Sequence, residues 1–340
     1  TIDIGAVESR ISKMEYKKII IESWKYTQGS KKLIFWFGFM PAIITTTVGV
    51  AYIAYQILSF KKSYLFNEID ESFFNEVIGF IWHFLQENVS WTLPMIVFGI
   101  FFILFYIFVP TIMKASAIQV IARNRSGQKC TLSKGLSYGI LSFFKLFEYG
   151  ALVKTFSFFS IFSEMSFVIR NLGTDLFFLF FPIFIIFMIL SLLLTLLFTY
   201  SVLYIIIDKK GVFESMKKSA RLVIMHWKHT FLISILMILI GVRIIIQVFL
   251  VFLIPFLIII ISGYIATIAL PITGLIVGAI VGGICLLIAA YLNGVVDVFS
   301  YSVWTFTFIE LTSEKELEAR EVEGEAIKDE QLNEENSSES

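Results

Sequence analysis

LFFLFFPIFIIFMILSLLLTLLFTYSVLYIII, residues 176–207, carries no charged side chain until Asp208 ends it. A water-soluble core cannot hide a run this long, and lipid is the solvent that suits it. Backbone groups in hydrocarbon must find their hydrogen bonds internally. An unbroken apolar run without alternation does so as an α-helix.

Working outward, the rest of the chain repeats this pattern. It is 340 residues long, 57% hydrophobic and only 16% charged, with 37 Phe. Its mean hydropathy is +0.84. Soluble domains are nearer 45–50% apolar and about a quarter charged. About 20 apolar residues cross a bilayer core of roughly 30 Å. Six segments meet that length: 33–60, 92–113, 148–169, 176–207, 230–260 and 272–304. Lys154 and Glu164 interrupt the third. The expected fold is an all-α polytopic membrane helical bundle of about six transmembrane helices. Residues 1–32 form an N-terminal segment, 33–311 the membrane domain and 312–340 a tail. The polar N-terminal stretch reads as no cleavable signal, so the first span inserts the chain.

Charge sets the orientation. The formal net charge is zero, yet residues 312–340 hold 11 acidic and 3 basic residues, about −8, which leaves the body at about +8. The N-terminal segment and the loops after the second and fourth spans are basic, and the intervening loops are not. Basic loops stay in the cytoplasm. Both termini are therefore expected there, in the plasma (inner) membrane of a prokaryote. Trp36, Trp91, Trp227 and Trp304 fall near span ends, at headgroup level.

A short amphipathic stretch precedes each odd-numbered span: 14–27, 132–147 and 212–227. Apolar residues recur there at i, i+3/i+4, as in helices lying in the membrane surface. A serine and a lysine recur with them: Ser23 and Lys32, Ser137 and Lys145, Ser219 and Lys228. Three interfacial helices, each followed by a two-span hairpin, would make a pseudo-threefold 2+2+2 bundle. Lys32, Lys145, Lys217, Lys218, Arg221 and Lys228 are its candidate lipid-headgroup contacts. Loop 63–90 reads as a helix on the outer leaflet or as a packed lid, and His83 within it as an interfacial side chain. His226 and His229 look like membrane-surface residues.

Five polar residues inside the spans are candidates for a site. Arg243 lies near mid-membrane, with Gln247 one turn on, and Glu164 enters the third span to similar depth. A mid-membrane Arg costs at least about 2.5–3.5 kcal/mol unless it faces the protein interior and has a partner. An Arg243–Glu164 pair is the expectation, either as a structural ion pair or as a substrate or headgroup site. Asn293 and Asp297, near the cytoplasmic end of the last span, either line a cavity or end the lipid-exposed region. Gly274, Gly278 and Gly282 form GxxxGxxxG, a spacing that lets helix backbones approach, within the chain or across a homodimer. Ala290 and Gly294 continue that stripe.

The sequence carries no Walker A loop, HExxH, CxxC pair or GxGxxG. No enzyme activity, cofactor, metal or nucleic-acid partner is expected. Cys130 and Cys285 have neither disulfide nor metal-ligand spacing. The acidic tail reads as a helix over 314–325 and disordered beyond.

At the third unit, GVFESMKKSARLVIMHWKHTFLISIL (211–236), and at the second, RSGQKCTLSKGLSYGILSFFKLF (125–147), the chain resembles the six-span glycerophosphoryl diester phosphodiesterase membrane-domain-like family of prokaryotic membrane proteins, with its YciC-like relatives. The resemblance implies a polytopic membrane protein. It transfers no catalysis, since the soluble phosphodiesterase domain and its His-Arg and Glu-Asn signatures are missing from these residues. Two functions follow. The first is a non-enzymatic scaffold or accessory subunit of a membrane complex, with membrane lipids around it and a protein partner on tail 312–340 or loop 61–91. The alternative is a transporter or lipid-handling protein with a polar intramembrane site around Arg243.

Overall fold

The structure, a computed structural model, describes residues 16–61, 73–87, 89–154, 157–171, 174–242 and 271–338. Among them there are helices and no strand. Helix α1 is Tyr16–Gly29. A turn Lys31–Leu33 and a π-helical segment Ile34–Phe39 lead into α2, Met40–Lys61. Then come α3 (Phe73–Glu87), α4 (Val89–Arg125), α5 (Leu132–Lys154), α6 (Phe158–Asn171), α7 (Thr174–Leu197) and α8 (Ser201–Ile206). The last three are α9 (Val212–Met225), α10 (Trp227–Val242) and α11 (Pro271–Ser338).

Among the described residues, five helices are long and apolar enough to cross a membrane: Lys31–Ile53, Val89–Arg125, Leu132–Val153, Asp175–Leu197 and Ile280–Ser313. A sixth is reached if α9 and α10, bent by 97° at His226, count as one span. The chain is thus an all-α, multi-pass membrane protein.

The bundle is packed at one end. Residues 115–122 of α4 are buried on every face, in the stretch that precedes Arg123 and Arg125. Around them gather Leu146 of α5, Tyr200, all of α8 except the half-buried Val202, Val212, Leu222 and Val223 of α9, and Phe308 and Leu311 of α11. We call this the basic end. Away from that end packing is sparser, although Ile161, Ser166 and Arg170 of α6 are buried and Tyr52 of α2 meets Ser163 at 2.6 Å. None of the most apolar stretch of α4 is buried, against 39% of that in Lys31–Ile53. Those exposed Phe, Ile and Leu side chains are what hydrocarbon would cover.

Two places let helices touch backbone to backbone. A Cβ on Gly38 would stand 2.5 Å from the carbonyl oxygen of Gly294, and one on Gly294 would stand 2.5 Å from the amide nitrogen of Phe39. The π-helical segment ends beside this crossing. Pro41 explains it: with no N–H to offer Phe37, its ring would clash with that carbonyl in a regular α-turn. Gly139 of α5 faces α4 as closely, where a Cβ would meet the Ser116 hydroxyl and stand 2.6 Å from the Ile112 carbonyl oxygen.

The first and third units match in detail. α1 and α9 are both 14 residues long. Each ends at a single broken residue with nearly the same backbone angles, Ser30 (φ −104°, ψ 49°) and His226 (φ −116°, ψ 38°). The broken residue's carbonyl accepts from the fourth residue on in both cases, Ile34 and Thr230, at 3.0 Å. Buried positions correspond at one constant separation: Ile19 with Ser215, Ser23 with Ser219, Thr27 with Val223, Ile34 with Thr230 and Phe37 with Ile233.

The second unit departs. α5 runs unbroken through Leu132–Lys154, so the stretch 132–147 is the first part of a span-length helix. The expected span 148–169 is divided between α5 and the separate α6. Ser137 is exposed, and the small residues on the buried face are Gly135 and Gly139. Three other expectations change. His226 is buried at the bend rather than lying on the surface. Trp304 packs edge-on against Tyr200 at 5.8 Å, while Trp36, Trp91 and Trp227 are exposed as an interfacial ring requires. Helix α11 continues past 325 to Ser338, in keeping with the Glu, Ala, Lys and Leu that fill it. The described side chains of α3 are exposed apart from the half-buried Leu85, with Phe80 and Trp82 strongly so, and do not form a packed lid.

Candidate functional site: a polar cavity at the basic end

The polar residues of the basic end divide into a crown and a cavity. The crown is built from the last turns of α4. Arg125 pairs with Glu22 of α1 at 2.8 Å and lies over the Phe306 ring of α11 at 4.6 Å. Arg123 stacks on Tyr138 of α5 at 4.2 Å and donates to Gln119 Oε1, while Gln119 donates to the Ile206 carbonyl. Asn124 donates to the Tyr26 hydroxyl at 3.0 Å. Burial raises the Tyr26 hydroxyl's pKa above its ordinary value, with the bond from Asn124 opposing that shift. The Arg125–Glu22 carboxylate and guanidinium are about a third exposed, so the pair contributes less than about 1 kcal/mol. These residues join α1, α5, α8 and α11 to one helix end.

The cavity lies beside the crown and measures about 330 Å³. Pro41, Ala42 and Thr45 of α2, Thr111 and Lys114 of α4, Tyr149 and Gly150 of α5, and Asp297 and Tyr301 of α11 line it. Pro110 is part of its wall, and Gly294 sits one helical turn before Asp297. The close approach of Gly38 and Gly294 therefore sets the distance between two of its walls. The Lys114 ammonium stands 5.9 Å from the Tyr301 ring centre, within cation–π range. Three of the hydroxyls spend their protons on backbone carbonyls. Tyr149 donates to Phe198 at 3.2 Å, Thr111 to Ile107 at 3.1 Å, and Thr45 to Pro41 at 3.3 Å. Their oxygens keep lone pairs able to accept.

Lys114 comes directly after the apolar stretch 92–113, so the cavity stands where a span would leave hydrocarbon for headgroups. The sequence counted Lys114 only as one more loop cation. Its apolar chain neighbours Ile112 and Met113 gave no sign that it faces inward.

The other candidates are scattered. Asp297 lines the cavity. Asn293, one turn before it, donates to Thr46 Oγ1 of α2 at 3.0 Å and is exposed. Glu164 is exposed on α6 and accepts from Ser160 at 3.4 Å. Arg243 and Gln247 lie outside the described residues, and so does the proposed Arg243–Glu164 pair. Nothing lies within 4 Å of a Cβ placed on Gly282, while Gly274 and Gly278 lie on α11 where side-chain surroundings are not described. The glycine that does meet another helix is Gly294.

Of the candidate headgroup contacts, Lys32, Lys145, Lys217, Arg221 and Lys228 are exposed. Lys145 donates to the carbonyl of Lys209 at 2.8 Å, and Lys209 stands in the left-handed region at φ 56°. Lys218 is half-buried and shares Glu214 with Lys210, each at 3.3 Å. His83 pairs with Glu87 at 3.5 Å, both exposed, and among the described residues no three His, Cys, Asp or Glu side chains gather as a metal site.

Compared with family models, with curated proteins and with solved structures, the chain matches none.

Proposed function

We propose that this chain is a lipid-handling membrane protein that holds an amphiphile in the cavity between α2, α4, α5 and α11. One observation carries this reading. Opposite charges, Lys114 and Asp297, line a single cavity at the depth where an apolar span ends. A pocket with a few convergent polar groups among apolar walls is the usual form of a small-ligand site. Headgroup depth makes a membrane lipid the nearest ligand. The polar site of the lipid-handling reading is thereby moved from Arg243 to Lys114 and Asp297.

Native mass spectrometry of the chain taken from native membrane in mild detergent tests this. The expected spectrum shows one lipid retained after washing that removes annular lipid. A lipid-free chain with a stoichiometric protein partner would instead support the scaffold reading. That second reading rests on α11, which carries its acidic segment on to Ser338 and so presents a negatively charged helix to a basic partner.

In this reading the basic end faces the cytoplasm of a prokaryotic cell, as the lysine and arginine asymmetry of the loops supports. The resemblance of 125–147 and 211–236 to six-span prokaryotic proteins agrees with that setting. With Cys130 and Cys285 replaced by Ser, Gln28→Cys and Phe213→Cys should react with a membrane-impermeant thiol reagent from the same side, and Glu87→Cys from the other. Labelling of residues 28 and 213 from opposite sides would refute the arrangement.

A further inference from the structure

We infer that α3 lays its apolar side into the leaflet opposite the basic end, and binds that lipid surface through gaps in its packing rather than through its charge. The cavity takes no residue from α3, so this contact is separate from the ligand site.

Depth comes first. Helix α2 leads away from the basic end and α4 returns to it, so α3 stands at the far end. At about 1.5 Å per residue the apolar stretch 92–113 of α4 measures about 33 Å, close to one bilayer core. Glu87 ends α3 just before that stretch, at the far headgroup zone. With 15 residues α3 is too short to cross. Its sides divide by polarity. At about 100° per residue, Ile78, Ile81, Trp82, Phe84 and Leu85 share one side, with Phe80 at its edge. Gly79, His83, Gln86 and Glu87 share the other. Ile78, Phe80, Ile81, Trp82 and Phe84 are all exposed. Leu85, amid the apolar side, is half-buried, and its carbonyl accepts from the Thr92 hydroxyl of α4 at 2.8 Å. The end of α3 is thus tied to α4 with its apolar side toward the span. Val89 and Leu93, exposed at the start of α4, carry the same apolar surface on into the hydrocarbon.

Charge then names the kind of surface. Residues 73–87 hold no Lys or Arg, and their ionisable groups are Glu76, His83 and Glu87. An interfacial helix binds by its apolar area plus the attraction of its cations to anionic lipid. Each Lys or Arg near such a surface strengthens binding about fivefold, and α3 has none to offer. Helix α9 at the basic end is the contrast, with Lys217, Lys218 and Arg221. What remains for α3 is the insertion of bulky Phe, Ile and Trp side chains, which needs room between headgroups. A loosely packed, unsaturated leaflet supplies that room.

The full chain, with Cys130→Ser and Cys285→Ser, is labelled with a fluorophore at Ile81→Cys or at His83→Cys and reconstituted into dioleoyl phosphatidylcholine vesicles. A nitroxide on the lipid chain near the headgroup should quench the label at 81 at least about threefold more than the label at 83, and aqueous iodide should do the reverse. Replacing about a third of the lipid with phosphatidylglycerol should leave the contrast unchanged, and cholesterol, which closes packing gaps, should reduce it about twofold or more. Both labelled positions are exposed, so folding is not at stake. Ile78→Glu together with Phe84→Glu should bring the label at 81 down to the level at 83. Equal quenching of the two positions overturns the inference, as does a contrast that grows with anionic lipid or ignores cholesterol. Disulfide formation between Ile81→Cys chains that shuts out the nitroxide overturns it too, by putting a second copy in the place of lipid.

Discussion

Gly294→Leu should destabilise the fold more than any other single substitution on α11, by about 3 kcal/mol or more. Overpacking a well-filled site costs typically 1–3 kcal/mol, because neighbouring side chains can shift to make room. Here the neighbours are backbone. The first atom of a new side chain would stand 2.5 Å from the Phe39 nitrogen and 2.6 Å from the Gly38 carbonyl carbon. No rotamer relieves that contact, so α2 and α11 must separate. Gly282→Leu is the matched control, since nothing lies within 4 Å of a Cβ there, and should stay within about 0.5 kcal/mol of wild type. Melting of the detergent-solubilised protein, followed by the fraction that stays monodisperse, reads both. Similar melting of the two variants would show that the crossing is not where the helices meet. Because Asp297 lies one turn beyond Gly294, the same variant should also lose ligand retention.

The second large effect is expected at Tyr200, a fully buried side chain in the turn between α7 and α8. Its ring lies against Trp304 at 5.8 Å and Phe308 at 6.2 Å. Its hydroxyl is 3.3 Å from Thr230 Oγ1 on α10. Its amide donates to Ser219 of α9, whose hydroxyl donates in turn to the Leu197 carbonyl. Four helices therefore converge on one residue. Tyr200→Ala removes an aromatic ring from a site that backbone bonds hold open, and should cost about 3–5 kcal/mol. Tyr200→Phe keeps the ring and loses the 3.3 Å contact with Thr230, for about 0.5–1.5 kcal/mol. The gap between the two midpoints measures the packing share. A Phe variant as damaged as the Ala variant would mean the hydroxyl, not the ring, holds the junction.

How far the sequence could be read depended on the range of the physics involved. Residues 176–207 announce a span because every residue contributes to the same local sum, and helix α7 lies there. The third span was harder. Lys154 and Glu164 looked like blemishes in one span, but the helix ends at Lys154 and another begins at Phe158. Hydropathy averages over a window and does not register such a break. The glycine stripe was legible as a packing signal. Which of its members meets a partner was not, since that depends on Gly38, a residue of another helix. The cavity lies at the same limit. Asp297 stood out as polar within a span, whereas Lys114 passed as an ordinary loop cation until the fold brought the two together. The first and third interfacial stretches gave away their kinship through Ser23 and Ser219. Ser137 misled, because the second unit turns glycine, not serine, toward its neighbour.

The uneven packing has a mechanical consequence. Helices joined at the crown and held beyond it by fewer contacts, such as Tyr52 with Ser163 and Arg170 with Tyr55, resemble staves bound by one strong hoop and one weak one. A thicker or thinner bilayer can then be met by tilt of the loosely held ends, at a modest cost per ångström of mismatch. The cavity, held between Gly38, Gly294 and the crown, keeps its shape while the far ends adjust. The same chain can thus work in membranes of different hydrophobic thickness without altering the surroundings of Lys114 and Asp297.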